Sequence, residues 1–471
     1  MTEVIADEYS NSHFYKKVLK IGSPIVLAQL MTSLLGLIDT FMVADLGTTA
    51  VAAVAASTSF MFLLNMILFG FLSGLSIFIA QYWGSKDIKS IHKVYIISII
   101  IGATIASIFF ITSFFFPEFV IGLYNNSGEY TEGLLLTNYA VQYLEVAAFS
   151  YFTMTITFTI SMWMRNVEKV LYPQAIAILV VGLNTFLNYI LISGNLGFDA
   201  HGVRGAAIAT LISSGFGAFL LIIYLVKSKE EVFKIKISTY KEISKKFVKN
   251  IFEKVLPVAI NETLWGLGMT VFLIAYGFIS SNSLAIIGVS NQVMSLFWVI
   301  NAGVSTACAI MIGNKLGENK LDLAKQWGIR FTKLSIGTGI ILGVIMFFIS
   351  SDIAGLFTNN LGGVTELERD DINDNVVLIL QVFSFYIPIK FSNALQIVGT
   401  LRAGGDTKFV MFAEIGPLWL VGVPLAFILS IYTTLPLYVI VGLVNIEELI
   451  KFVIVLRRFF KFKWVKNLTL E

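Results

Sequence analysis

Apolar runs of about 18 residues or more recur along the whole chain, separated by short polar stretches. Each run is long enough to cross the hydrocarbon layer of a bilayer as a helix. Helices are the default there, because a spanning segment must satisfy its own backbone hydrogen bonds. The runs are too long and continuous for the short alternating strands of a barrel. The pattern predicts twelve spans, at roughly 21–44, 52–82, 94–116, 138–163, 170–193, 204–227, 255–279, 284–312, 331–357, 376–400, 408–431 and 435–458.

The polar stretches alternate in charge. Lys16, Lys17 and Lys20 precede the first span, and Lys86, Lys89 and Lys93 follow the second. Arg165 and Lys169 follow the fourth, and nine Lys lie between 227 and 254. Lys315, Lys320, Lys325 and Arg330 follow the eighth, Arg402 and Lys408 the tenth, and Arg457 to Lys466 the twelfth. The alternate stretches are nearly free of Lys and Arg: "FPEFVIGLYNNSGEYTEG" has none, and "TNNLGGVTELERDDINDN" has only Arg369. By the positive-inside rule both termini lie in the cytoplasm, and the expected location is the cell (cytoplasmic) membrane, crossed many times. The N-terminus "MTEVIADEYSNSHFYKKVLK" carries acids and lacks the form of a cleaved signal peptide.

Composition agrees. Of 471 residues, 56% are hydrophobic and 13% charged, against about 25% charged in a soluble domain, and mean hydropathy is +0.82. A net charge of +3 suggests no nucleic-acid partner, and the lone Cys308 excludes an internal disulfide. There is no Walker A pattern for ATP hydrolysis. His13, His92 and His201 fall in predicted loops with no metal-ligand spacing. No clustered catalytic set is visible, so an enzyme is not expected.

Shifted by 233 positions, the sequence begins to match itself. Pro24 falls on Pro257, Gln29 on Glu262, Gly70 on Gly303, and "AQYWG" on "GNKLG". Further on, Phe149-Ser150 meets Phe383-Ser384, and "MR" at Met164-Arg165 meets "LR" at Leu401-Arg402. Each half then holds six spans and begins on the same side. This predicts an all-α integral membrane fold of two six-helix lobes, residues 1–227 and 255–471, related by a pseudo-two-fold axis along the membrane normal. A basic cytoplasmic linker, 228–254, joins them. Parallel repeats of this kind recur in secondary transporters, with substrate sites between the halves.

The chain resembles the MATE (multidrug and toxic compound extrusion) family, bacterial type, in the superfamily that includes lipid and polysaccharide flippases. The resemblance covers essentially all twelve spans. It rests on Pro24, Gln29 and "DTFMVADLG" from Asp39, on "LNTFLNYILISGNLG" with "VRGAAIAT", on "LPVAINE", "GNKLGENKLDLA" and "LRAGGDTK", and on the C-terminal "FKWVKNL". It implies a twelve-helix transporter that exports organic cations or drugs, driven by inward Na⁺ or H⁺, with no other cofactor. The expected partners are small organic cations and the lipid bilayer, and the expected state is a monomer. The alternative within the superfamily is a flippase for lipid-linked precursors or polysaccharide. It would need a cationic cleft, whereas the apolar spans here hold more acids than bases.

A charge at the centre of a spanning helix costs about 2.5–3.5 kcal/mol on insertion scales, so each one is a functional hypothesis. Asp39 sits about two turns from the outer end of span 1 and matches the family's ion-coupling acid. Asn184 and Asn188, four apart, share a face of span 5, and Thr210 on span 6 could add a hydroxyl. Such oxygens suit Na⁺, and a carboxylate alone can carry H⁺. Some relatives have an Asp in place of Asn188. In the second lobe, Glu262 matches an acid of some members. Lys390 lies mid-span in "YIPIKFSNALQ", with Glu262 as a candidate partner, and Asn393 stands where relatives have an Asp. Glu145, Glu414, Glu447 and Glu448 are further acids expected to face inward, with Glu448 and Lys451 in a pattern common to bacterial members. Pro24 and Pro257 are candidate bends, and bending of span 1 at Pro24 is a candidate motion.

Overall fold

The computed structural model describes residues 10–44, 46–122, 130–358 and 365–470. No strand occurs among them. The helices are α1 (Asn11–Ala44), α2 (Thr48–Gly84), α3 (Ile88–Phe115), α4 (Tyr130–Asn166), α5 (Leu171–Leu191) and α6 (Gly202–Lys227). They continue as α7 (Lys245–Gly277), α8 (Ser281–Gly317), α9 (Leu321–Thr358), α10 (Glu366–Leu401), α11 (Thr407–Tyr432) and α12, the last in two pieces, Leu437–Val444 and Ile446–Phe460. Two stretches widen to π-helical turns, Leu395–Leu401 at the end of α10 and Leu418–Gly422 within α11. Among the described residues, ten helices, α2 to α11, are long and apolar enough to cross a membrane. α12 is not among them, because a turn at Asn445 divides it and its second piece carries Glu447, Glu448, Lys451, Arg457 and Arg458.

Each expected span is present as a helix, but several begin earlier. α7 starts at Lys245 rather than near 255, and α3 at Ile88 rather than near 94. Hydropathy marks where a helix enters hydrocarbon, whereas the backbone hydrogen bonds run on into the polar turns outside it. His13 and His92 therefore lie in helices, not in loops, and only His201 stands at a helix start.

The repeat is explicit in the backbone. α2 and α8 are both 37 residues long, and their first residues, Thr48 and Ser281, differ by the same 233 positions as their last, Gly84 and Gly317. Each pair of helices is joined by the same turn. Lys86 and Asn319, again 233 apart, are left-handed at φ 61° and 60°. The turns after α4 and α10 match in the same way, with Glu168 at φ 62° and Gly405 at φ 75°. Lys169 N–H closes on Met164 in one, and Asp406 N–H on Leu401 in the other.

The chain divides into two compact units, Leu27–Phe252 and Met1–Val26 with Glu253–Glu471. The boundary on α1 thus falls two residues after Pro24, and the first turns of α1 pack with the second unit. There Phe14 is buried against Phe331, ring centroids 4.8 Å apart. In the first unit α4 is central and packs on α2, α3 and α6; in the second α10 packs on α8, α9 and α12. α9 shows why such sequences have no simple polar stripe. A Cβ at its Gly343 would stand 2.5 Å from the Ser384 carbonyl oxygen of α10, so a bare backbone is what lets the helices meet. The other face of α9 presents Ile340, Ile341, Val344, Ile345 and Phe348 outward.

The basic segment after α6 is held down by the first unit rather than strung out. Val232 and Phe233 are buried, and His92 Nε2 lies 3.1 Å from both the Glu231 and Val232 carbonyl oxygens. Lys89 pairs with Glu242 at 2.8 Å, and Lys169 with Glu230 at 2.6 Å.

Candidate functional site

In the first unit the structure joins three of the four predicted ion-site residues. Asn184 and Asn188 lie one turn apart on α5, facing Thr210 of α6. Asn188 Nδ2 donates to Asn184 Oδ1 at 3.3 Å, and Asn184 Nδ2 donates to Thr210 Oγ1 at 3.4 Å. Thr210 donates in turn to the Ala206 carbonyl at 3.0 Å. Asn188 is 4% exposed, and its Oδ1 is buried with no hydrogen-bond donor among the described residues. An acceptor left so is costly unless something positive reaches it. Oxygen donors of this kind fit Na⁺. Asp39 lies on α1, but its side chain is outside the described residues.

In the second unit the predicted residues are distributed differently from expectation. Glu262 does not pair with Lys390. Its Oε1 accepts from Arg402 Nη2 at 2.6 Å, with the Arg402 side chain 1% exposed. Arg402 stands at the end of α10, within reach of the middle of α7, while Lys390 is three turns further back. The Lys390 ammonium lies 5.0 Å from the centre of the Phe383 ring, two turns away on its own helix, and in Coulombic range of Glu448 and Glu447. Lys390 is part-buried, and a cation–π contact of this kind is attractive there.

Asn393 is buried and donates through Nδ2 to Glu448 Oε2 at 2.7 Å and to the Glu448 carbonyl at 2.9 Å. Lys451 Nζ bridges Glu447 Oε2 at 3.2 Å and Glu448 Oε1 at 3.1 Å. Glu414 on α11 accepts from Asn261 Nδ2 of α7 at 2.5 Å. Glu145, expected to face inward, is exposed on α4. Pro24 and Pro257 sit inside continuous helices.

Two residues central to this network, Arg402 and Asn261, were not among the predicted site residues. The signal for Arg402 lay in the repeat, which sets Gln29 on Glu262 and Arg165 on Arg402. The first lobe carries an amide where the second carries the acid that its arginine needs. Two sequence signatures also meet in space. The "LRAGGDTK" turn is covered by the C-terminal "FKWVKNL". Trp464 is fully buried, a Cβ at Gly404 would collide with its carbonyl oxygen, and Arg458 grips Asp406 through two hydrogen bonds of 2.6 and 2.9 Å.

Comparison with known proteins identifies the family. The MatE family model matches twice, over residues 24–190 and 257–428, and the two matches start 233 positions apart. The chain belongs to the MatE family. Among curated relatives, the probable multidrug resistance protein YoeA of Bacillus subtilis is 29% identical over 88% of this chain and 86% of its own length. The probable multidrug resistance protein NorM of Photorhabdus laumondii is 24% identical over 90% and 89%. A crystal structure of MATE in complex with MaL6 shares the fold, with TM-score 0.82 at 20% identity over 95% of this chain and 97% of that one. With its apolar helices, membership of the MatE family makes this a multi-pass membrane protein of the transporter class. The MatE fold is the twelve-helix, two-lobe architecture expected from the repeat.

Proposed function

We propose that this protein is a secondary active antiporter that exports organic cations in exchange for inward Na⁺ or H⁺. The observation that carries the ion site is the buried Oδ1 of Asn188, without a donor among the described residues, at the end of the Asn188–Asn184–Thr210 chain. It lies in the same unit as Asp39, the acid of span 1 that matches the family's ion-coupling carboxylate. The relatives named as multidrug resistance proteins support organic cations as cargo. Positive charge on alternate loops supports cytoplasmic termini.

In this scheme the ion enters from outside and binds at Asp39 with Asn184, Asn188 and Thr210. Its binding favours the state that releases cargo outward, and cargo binds the inward-open state once the ion has left. Coupling requires only that ion and cargo prefer different states. One ion in for one monovalent cation out moves no net charge. The membrane potential, about 2.3 kcal/mol per charge per 100 mV, then cancels.

The test is efflux of a fluorescent aromatic cation from vesicles holding the purified protein, with Na⁺ and pH gradients imposed separately, beside Asp39→Asn. One gradient should drive the wild type, and the folded variant should be inactive under it. If neither gradient moves any cation tried, cargo of the flippase kind, anionic or lipid-linked, takes its place.

A further inference from the structure

The basic segment after α6 is built into the surface of the first unit, and ion exchange gives it no task. Its two 3₁₀ turns, Glu231–Phe233 and Ile237–Glu242, pack on α3. Phe233 meets Tyr224 of α6 edge to face, with ring centroids 6.2 Å apart, and Tyr224 stacks on Tyr172 of α5 at 4.2 Å. The start of α7 is held in the same way. The Lys93 ammonium stands 5.4 Å from the centre of the Phe247 ring, and Tyr82 stacks beside that ring at 6.3 Å. Tyr82 lies in the last turn of α2, Lys93 near the start of α3, Tyr172 in the first turn of α5 and Tyr224 in the last turn of α6. The segment therefore lies where four spanning helices leave the hydrocarbon, and tyrosines at such ends mark the depth of the lipid headgroups.

Between 230 and 249 the chain carries six lysines and three glutamates. The first unit takes up two of the acids, Glu230 through Lys169 and Glu242 through Lys89. The lysines are left over. Lys234, Lys236, Lys241, Lys245, Lys246 and Lys249 are all exposed, and none has an ion-pair partner among the described residues. A tether that only joined two lobes would need no fixed shape. Here buried Val232 and Phe233 and the His92 contact hold the backbone, so the ammoniums form a set array at one depth. Tyr240, 60% exposed beside Lys241, adds a ring suited to the membrane–water boundary. Clustered lysines beside the end of a spanning helix are attracted to anionic lipid.

We propose that residues 234–249, held against the first unit, bind the headgroups of anionic phospholipids in the leaflet beside them. The ligand class is a phosphodiester headgroup of net negative charge, for which phosphatidylglycerol is the probe. The contact is separate from the Asp39 site and from the cargo, and no step of it depends on the antiport reading.

The experiment is native mass spectrometry of the full-length protein from micelles holding equal amounts of phosphatidylglycerol and phosphatidylcholine with the same acyl chains. Micelles offer both lipids to every surface, so the result does not depend on which side of the membrane the segment occupies. The wild type should retain phosphatidylglycerol in preference. Replacing Lys234, Lys236, Lys241, Lys245 and Lys246 by Gln should lower that preference about tenfold or more, since one lysine near an anionic surface is worth about fivefold. The control removes the same charge from the other unit, by replacing Lys16, Lys20, Arg457, Lys461 and Lys463 with Gln, and should leave most of the preference in place. In the wild type, amide hydrogen exchange over 234–249 should slow when phosphatidylglycerol replaces phosphatidylcholine. Equal losses in the two variants would mean that net charge alone collects the lipid, and would overturn the proposal, as would no loss in the first. Displacement of the lipid by inorganic phosphate, but not by sodium chloride of equal ionic strength, would make this a site for free phosphate and overturn the membrane assignment. None of these readings uses transport, so they stand or fall apart from the efflux test.

Discussion

The pairing of Glu262 with Arg402 can be tested alone, because theory gives its single and double replacements very different costs. The two groups are 2.6 Å apart, with side chains 11% and 1% exposed. At that distance an effective dielectric of about 20 gives roughly 6 kcal/mol of attraction. Desolvating two ions costs several kcal/mol each, so the net worth of the pair relative to an apolar pair is near zero. Removing one partner is another matter, since it strands a buried charge at a cost of about 3–5 kcal/mol. Glu262→Leu and Arg402→Leu should therefore each lose about 3–5 kcal/mol, while the double variant stays within about 2 kcal/mol of the wild type. The assay is equilibrium unfolding in mixed detergent, followed by tryptophan fluorescence; Trp265 lies three residues from Glu262. A double variant that loses the sum of the two single losses would refute the reasoning, because the two side chains would then be acting independently.

Three further outcomes follow from the same contacts. Gly343→Ala should lose about 1–3 kcal/mol in the same unfolding assay, because the new methyl meets the Ser384 carbonyl, while Gly337→Ala, with open space around it, should lose nothing. Asn188→Leu should leave the unfolding midpoint within about 1 kcal/mol, since it removes an unmet acceptor along with a weak donor bond, and yet abolish gradient-driven efflux; unchanged efflux would remove Asn188 from the ion site. The Lys89 ammonium holds the Glu242 carboxyl below its usual range. That contribution is present at neutral pH, above the unfolded value, and fades as pH falls through the lower folded value. Proteolysis of the 228–244 segment should accordingly rise on acidification below about pH 4, and at neutral pH in Lys89→Met or high salt; a cleavage rate indifferent to all three would show that the buried Val232 and Phe233 hold the segment unaided.

Some of this protein was determined by sequence alone. Twelve helices follow from the length of the apolar runs, because nothing else satisfies backbone groups in hydrocarbon. The two-fold repeat follows from a constant offset, and it reaches the single left-handed residues Lys86 and Asn319. The Asn184–Asn188–Thr210 grouping was legible because residues four apart on a helix share a face. What sequence could not decide was partnership across helices. Lys390 and Arg402 are both basic residues on α10, and a linear pattern gives no measure of which reaches α7. That choice depends on where α10 ends and how closely it lies on its neighbours. Likewise Glu414 and Glu145 look alike along the chain, yet one is held by an amide from another helix and the other is exposed. Periodicity sets what each helix must bury, because it is a property of one segment. The partner of a buried charge is a property of two or three segments at once, and only their packing assigns it.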